Sequence, residues 1–224
     1  GDADNDSFNN LVLGTRLNWR EIAMLRTYAA YLKQIRFGFG RSSIAETLSK
    51  HLEITRAIVS LFNFMFDPSV PRAENHLEEV EIARSAIFEK LDEVSNLNED
   101  RILRRYLDLI SATLRTNFFQ RTSEGDPKSY LSFKFSPERI PDIPQPCPKF
   151  EIFVYSPEFE AGHLRSGAVS RGGLRWSDRL EDYRTEVLGL VKAQQVKNSV
   201  IVPLGAKGGF VLKKIPAKAR RERV

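Results

Sequence analysis

The sequence predicts an α+β or α/β chain, with an all-helical N-terminal region followed by an incomplete mixed α/β part. Three observations carry this reading. Apolar residues in the first half recur at helical spacing behind small polar capping residues. Near Arg121 the texture changes, and Leu131, Phe133 and Phe135 alternate with Ser132, Lys134 and Ser136 as in a half-buried strand. Beyond Glu151 the chain reads strand, helix, strand, with β-branched runs bounded by glycine.

Taken in order, Asn18 and Glu21 form a capping-box pattern ahead of Ile22, Ala23, Leu25, Tyr28, Ala29, Leu32 and Ile35. Gly38 and Gly40 supply a stop. Ser43 and Glu46 repeat the box and predict a short helix. His51 to Phe66 predicts another, ended by Asp67-Pro68. Glu74 to Val94 carries Leu77, Val80, Ile82, Ala83, Ile87, Leu91 and Val94 at helical spacing, and Asn98 caps a helix expected to reach about Phe118. Five prolines between Pro137 and Pro148 exclude a helix and predict an extended connector. Glu151 to Tyr155 reads as a strand, and His163 to Ser170 as another. A third capping box, Asp178 to Glu181, opens a helix of about twenty residues with Val187, Leu188, Leu190, Val191 and Val196 on its apolar side. Ser199 to Val202 and Phe210 to Leu212 read as short strands. The boundary falls near residues 121–130, giving a helical domain over 1–120 and an α/β part over 121–224. No closing element follows Leu212, which predicts a piece of a longer protein.

The composition, 42% hydrophobic and 28% charged over 224 residues, describes a chain able to bury a core. The acidic, polar start is no secretory signal, and the richest apolar stretch, Ile58 to Phe66, is too short to span a bilayer. These features predict no membrane partner. The single Cys147 excludes an internal disulfide and fits a reducing, cytoplasmic setting. His51, His76 and His163 are scattered and none pairs with Cys147 at metal-ligand spacing, so no metal site is expected. The net charge of +5 divides into −2 over residues 1–120 and +7 over 121–224. The terminal KKIPAKARRERV alone carries +5, so the basic balance is a property of one tail and argues against a nucleic-acid partner.

Two segments look chemical. One is Arg171-Gly-Gly-Leu-Arg175; the other joins Lys192 and Lys197 to Lys207 in PLGAKGGF. Gly-Gly is most often a turn or bulge. Beside converging cations it also suits a pocket whose anionic ligand relieves their repulsion. Lys192 reads as a solvated helix charge, and Lys197 as a complement to a helix C-terminus. The phosphate-loop pattern fails, because Lys207 precedes Gly208-Gly209 and no hydroxyl follows; a dinucleotide G-x-G-x-x-G is absent as well. The acids Asp178, Glu181, Asp182 and Glu186 read as capping and solvated helix charges.

The stretch RGGLRWSDRLEDYRTEVLGLVKAQQVKNSVIVPLGAKGGF resembles the core of the very large bacterial NAD-specific glutamate dehydrogenases. It also parallels the K-G-G-I-R and G-G-A-K-G-G segments of ordinary glutamate dehydrogenases. The resemblance extends upstream through LNWREIAMLRTYAAYLKQ, RILRRYLDLISATLRTNFFQ, YLSFKF and EIFVYSPEFEAGHLR, and so covers nearly the whole chain. It implies that Lys207 is the catalytic lysine that handles proton and water as the α-amine becomes an imine and then a ketone. It implies that Lys197 holds the substrate α-carboxylate and that Arg171, where relatives have lysine, holds the side-chain carboxylate. Gly172, Gly173 and Arg175 complete the segment. Glycines around Lys207 would let its ammonium come within ~3 Å of the reacting nitrogen or a water.

The resemblance further implies L-glutamate and 2-oxoglutarate as ligands and a homo-oligomeric full-length enzyme. NAD would be bound by a domain that, with the catalytic aspartate, lies further along the family sequence. The chain alone is therefore expected to be inactive. The alternatives are a non-catalytic helical interaction or regulatory module, favoured if Lys197 and Lys207 point to solvent away from Arg171, and nucleic-acid binding through the tail.

Overall fold

The computed structural model describes residues 6–167, 172–197 and 205–214, without the side chains of residues 13, 15 and 195–197. A short 3-10 turn, Ser7–Asn10, leads into α1 (Leu11–Thr15) and α2 (Trp19–Gln34). The Asn18 capping box forms as the sequence predicts: its side chain accepts from the amides of Arg20 and Glu21, and its own amide donates to Glu21 Oε2 at 2.9 Å. The stop differs. The left-handed residue that closes α2 is Arg36, two positions ahead of Gly38, which is itself at positive φ, and the amide of Phe37 donates back to the Leu32 carbonyl at 3.0 Å.

Next come α3 (Arg41–Lys50), α4 (Leu52–Phe66), α5 (His76–Leu91) and α6 (Leu97–Ala112). The second predicted box does not form, since α3 starts before Ser43 with Gly40 as its cap. Asn96, not Asn98, caps α6. The helix also stops short of the expected Phe118. Thr113 turns the chain into β1 (Thr113–Thr116), anchored by its hydroxyl, which donates to the Leu109 carbonyl at 2.7 Å and lies 2.9 Å from the Tyr28 hydroxyl.

The remaining strands are β2 (Leu131–Phe135), β3 (Phe150–Tyr155), β4 (Phe159–Arg165), β5 (Gly172–Trp176) and β6 (Ala206–Leu212), with α7 (Tyr183–Lys197) crossing from β5 to β6. The sheet order is β1-β2-β3-β4-β6-β5. Every neighbouring pair is antiparallel except β5 with β6, which is parallel. An α+β chain with a helical N-terminal part and a mixed sheet is therefore what the sequence encodes. The predicted 199–202 strand lies outside the described residues, as do the tail residues 215–224. The third predicted box, Asp178 with Glu181, does not open the helix: α7 begins at Tyr183, after a turn in which Arg179 pairs with Asp182.

One face of the sheet carries the core. Leu131, Phe133 and Phe135 of β2 share it with Phe153 and Tyr155 of β3, and α2 lies against them. Tyr28 meets Phe133 with ring centroids 4.7 Å apart, and Tyr31 stacks on Phe135 at 4.5 Å. Such aromatic pairs add ~1 kcal/mol each beyond the area they bury. A single apolar cluster runs from Phe8 through the helices to Phe153, Tyr183 and Val211, so the helical and sheet parts share one core. Within it lies a buried ion pair that the sequence did not announce. Arg184 Nε and Nη2 each donate at 2.7 Å to the two oxygens of Glu151. Gln34 ties the same corner to α2, donating to the Leu180 carbonyl and accepting from the Arg184 amide.

Candidate functional site

The two glycine motifs are neither turns nor bulges. Gly172-Gly173 opens β5, and Gly208-Gly209 lies inside β6. The fold sets them side by side: Gly172 pairs with Ala206, Gly173 with Lys207, Leu174 with Gly208 and Arg175 with Gly209. Lys207 is flanked on the other side by Leu164 of β4.

Side chains alternate across a sheet, so this register sorts the residues by face. Lys207, Gly209, Gly173, Arg175 and Leu164 share the face on which α7 lies. Leu164 packs there with Val187, Leu188 and Val191 of α7. The opposite face carries His163, Leu174, Trp176 and Phe210. Trp176 stacks with Phe210 on that side, and Leu174 and Trp176 are 71% and 41% exposed. The register therefore puts Trp176 on the face of the sheet opposite Lys207.

The glycines have a packing role. A Cβ on Gly209 would lie 2.6 Å from Val187 Cγ2, so a side chain there would push α7 off the sheet. A Cβ on Gly208 would collide with Leu174 and crowd His163, and one on Gly172 would run into the Ala206 carbonyl. These contacts explain the bare backbone beside Lys207 without any turn.

Arg175 is engaged within the chain. Its Nε lies 3.0 Å from Glu186 Oε1 on α7, while Ser177 Oγ donates to Glu186 Oε2 at 2.7 Å. The arginine remains 60% exposed, so the pair fixes its direction without sealing it. Lys207 is half-buried between Gly173 and Leu164, and Lys192 is exposed on α7. Arg171 and the side chain of Lys197 lie outside the described residues, although Lys197 itself closes α7. The structure thus brings together Gly172, Gly173, Arg175 and Lys207 of the predicted set. Sequence reasoning set Glu186 aside as a helix charge. Its spacing of eleven residues from Arg175 gave no signal of a pair formed between β5 and the first turn of α7.

Among the described residues no group of His, Cys, Asp or Glu is placed to hold a metal ion, and no helix is long and apolar enough to cross a membrane. A separate cleft of about 550 Å³, lined by Asn18, Trp19, Arg20, Phe118 and Arg121 among others, contains none of the candidate residues.

Comparison with known proteins agrees with the motifs. The catalytic domain of bacterial NAD-glutamate dehydrogenase matches residues 86–224, and glutamate dehydrogenase helical motif 3 matches residues 3–68. An NAD-specific glutamate dehydrogenase of Halomonas elongata is 62% identical over 222 residues, covering 99% of this chain and 14% of that protein. The corresponding protein of Pseudomonas aeruginosa is 59% identical, covering 100% and 14%, and that of Mycobacterium tuberculosis is 46% identical, covering 96% and 13%. The chain thus spans about one-seventh of the length of these relatives. With more than half of its residues matched by the catalytic-domain family and its two glycine motifs paired in one sheet, the chain belongs to the bacterial NAD-glutamate dehydrogenase family.

Proposed function

We propose that this chain is a section of an NAD-dependent glutamate dehydrogenase that oxidatively deaminates L-glutamate to 2-oxoglutarate and ammonium. By role, residues 1–120 form a helical domain and residues 121–224 the first part of the substrate-binding domain. Lys207 is the catalytic lysine, Arg171 and Lys197 hold the two carboxylates, and Gly172, Gly173 and Arg175 frame the pocket. The observation that supports this reading is the parallel pairing of β5 with β6, which sets Lys207 directly across from Gly173. A cation on β6 then has the side-chain-free Gly172-Gly173 end of β5 beside it, and a small acid can approach over that end. Glu186 holds Arg175 aligned along the same face.

The described residues offer no cradle for NAD. A dinucleotide phosphate needs a glycine turn between a strand and a helix N-terminus, whereas both glycine pairs here lie in extended strands. We therefore assign NAD to a part of the protein outside this chain; on the family resemblance alone, we place the full enzyme in the cytoplasm as a homo-oligomer.

The test uses the full-length enzyme. Lys207→Ala should lower kcat by roughly 10²–10⁴-fold, the range for a lost acid–base group. Arg171→Met should instead raise KM for glutamate by about tenfold or more, since it removes ground-state binding. The isolated chain should give no NADH from glutamate and NAD. Near-normal kcat in Lys207→Ala, or turnover by the isolated chain, would overturn the reading.

A further inference from the structure

Strand β6 has an unusual difficulty. Four consecutive positions, Ala206 to Gly209, carry only one side chain larger than a methyl, that of Lys207. Strand register is specified by side chains that prefer one face, and glycine-rich strands specify it weakly. Yet register decides everything at this site, because a slip of one residue would carry Lys207 to the face occupied by His163 and Trp176. Of the side chains on β6, only Val211 belongs to the main core cluster.

The end of the strand supplies what its glycines lack. Lys213 follows β6 by one residue and shares the face of Lys207, Gly209 and Val211. Its amide donates to the Glu158 carbonyl at 2.7 Å. Its ammonium lies 3.4 Å from Glu160 Oε1 and 3.8 Å from the centroid of the Tyr155 ring. Glu160 is opposite Val211 in the β4–β6 ladder, and Tyr155 is opposite Glu160 in the β3–β4 ladder. The ammonium therefore stitches three adjacent strands. The Glu160 carboxylate is itself almost fully buried and is approached from α3 by Arg41 Nη2 at 3.6 Å. A slip of β6 by one residue would turn Lys213 away and leave this buried carboxylate to Arg41 at 3.6 Å. That loss is costly, because a buried charge stripped of a partner keeps its desolvation penalty.

We propose that Lys213 and Glu160 are positioning residues: their ion pair fixes the register of β6 and so the face on which Lys207 stands. The proposal rests on the assignment of Lys207 as the catalytic lysine. A buried ion pair is a suitable device for the task, since its worth lies in selecting one arrangement more than in adding stability.

The experiment compares Lys213→Met, Lys213→Arg, Glu160→Gln and the Met/Gln double variant in the full-length enzyme. Kinetics are combined with hydrogen exchange of the β6 amides. Lys213→Met should lower kcat by about tenfold or more with little change in KM for glutamate. Lys213→Arg, which keeps charge and reach, should restore kcat. The double variant should be little worse than either single one, as expected for two residues acting through one contact. Exchange should quicken in β6 and not in β2 and β3. Wild-type kcat in Lys213→Met, or equal impairment in Lys213→Arg, would overturn the proposal, as would unchanged β6 exchange. Lys207→Ala separates the two claims. Normal kcat in that variant would sink the catalytic assignment, while faster β6 exchange in Lys213→Met would still report the register lock.

Discussion

His163 shows how a single position on this sheet couples structure to pH. It sits on β4 opposite Gly208, on the face that carries Leu174 and Trp176, and the absence of a side chain on Gly208 makes room for its imidazole. Burial pushes its pKa below the ordinary histidine value, and Arg165 pushes it further the same way. The folded state therefore binds this proton less readily than the unfolded chain. Its contribution to stability is complete above the ordinary histidine pKa. It is lost as pH falls from that value towards the lower folded one, and is flat below that. Removing the group should flatten the curve. We expect His163→Gln to reduce the decline in urea midpoint between about pH 7 and pH 5. An unchanged slope in this variant would assign the decline to other groups.

Among the elements, the contact between β6 and α7 is the most exacting. Gly209→Ala places a methyl where Val187 Cγ2 already stands, and Val187 is a buried, branched residue with little room to turn away. Overpacking of this kind costs about 1–3 kcal/mol, and it should appear as a lowered denaturation midpoint with helix content largely retained. A neutral Gly209→Ala would mean that α7 does not rest on this strand. The same contact explains which elements were legible in advance. Helices α2 and α4 and strand β2 announce themselves because their apolar period and their single buried face coincide. The Asn18 box was readable because it is entirely local. Strand β5 and the first half of β6 were not readable as strands, since glycine signals a turn and only a neighbouring ladder makes GGLRW and AKGG extended, whereas Phe210 to Leu212 at the end of β6 carry enough bulk to be read as a strand. Strand β1 was hidden for the opposite reason. The apolar spacing of α6 runs on past Ala112, and the tertiary contact of Thr113 with Tyr28 ends the helix. At the candidate site, the motifs and Lys207 were legible by resemblance. Glu186 and the Lys213–Glu160 pair were not, because each joins segments that sequence spacing does not relate.

At the scale of the whole molecule, the helical and α/β parts are packed around one shared core. Tyr28 and Tyr31 of α2 reach into the sheet, and Gln34 is hydrogen-bonded to the start of α7, where Arg184 meets Glu151. Arg184→Met would strand the buried Glu151 carboxylate and should cost about 3–5 kcal/mol, whereas Arg184→Met with Glu151→Leu should recover much of that loss. The shared core also predicts that the loss will be felt everywhere at once. The two tryptophans are suitably divided, with Trp19 opening α2 and Trp176 closing β5. Variants retaining one or the other should show the same urea midpoint by fluorescence, and Arg184→Met should shift both by the same amount, as a single cooperative unit requires. Separate midpoints for Trp19 and Trp176 would instead make residues 1–120 and 121–224 independent folding domains, joined by contacts too weak to couple them.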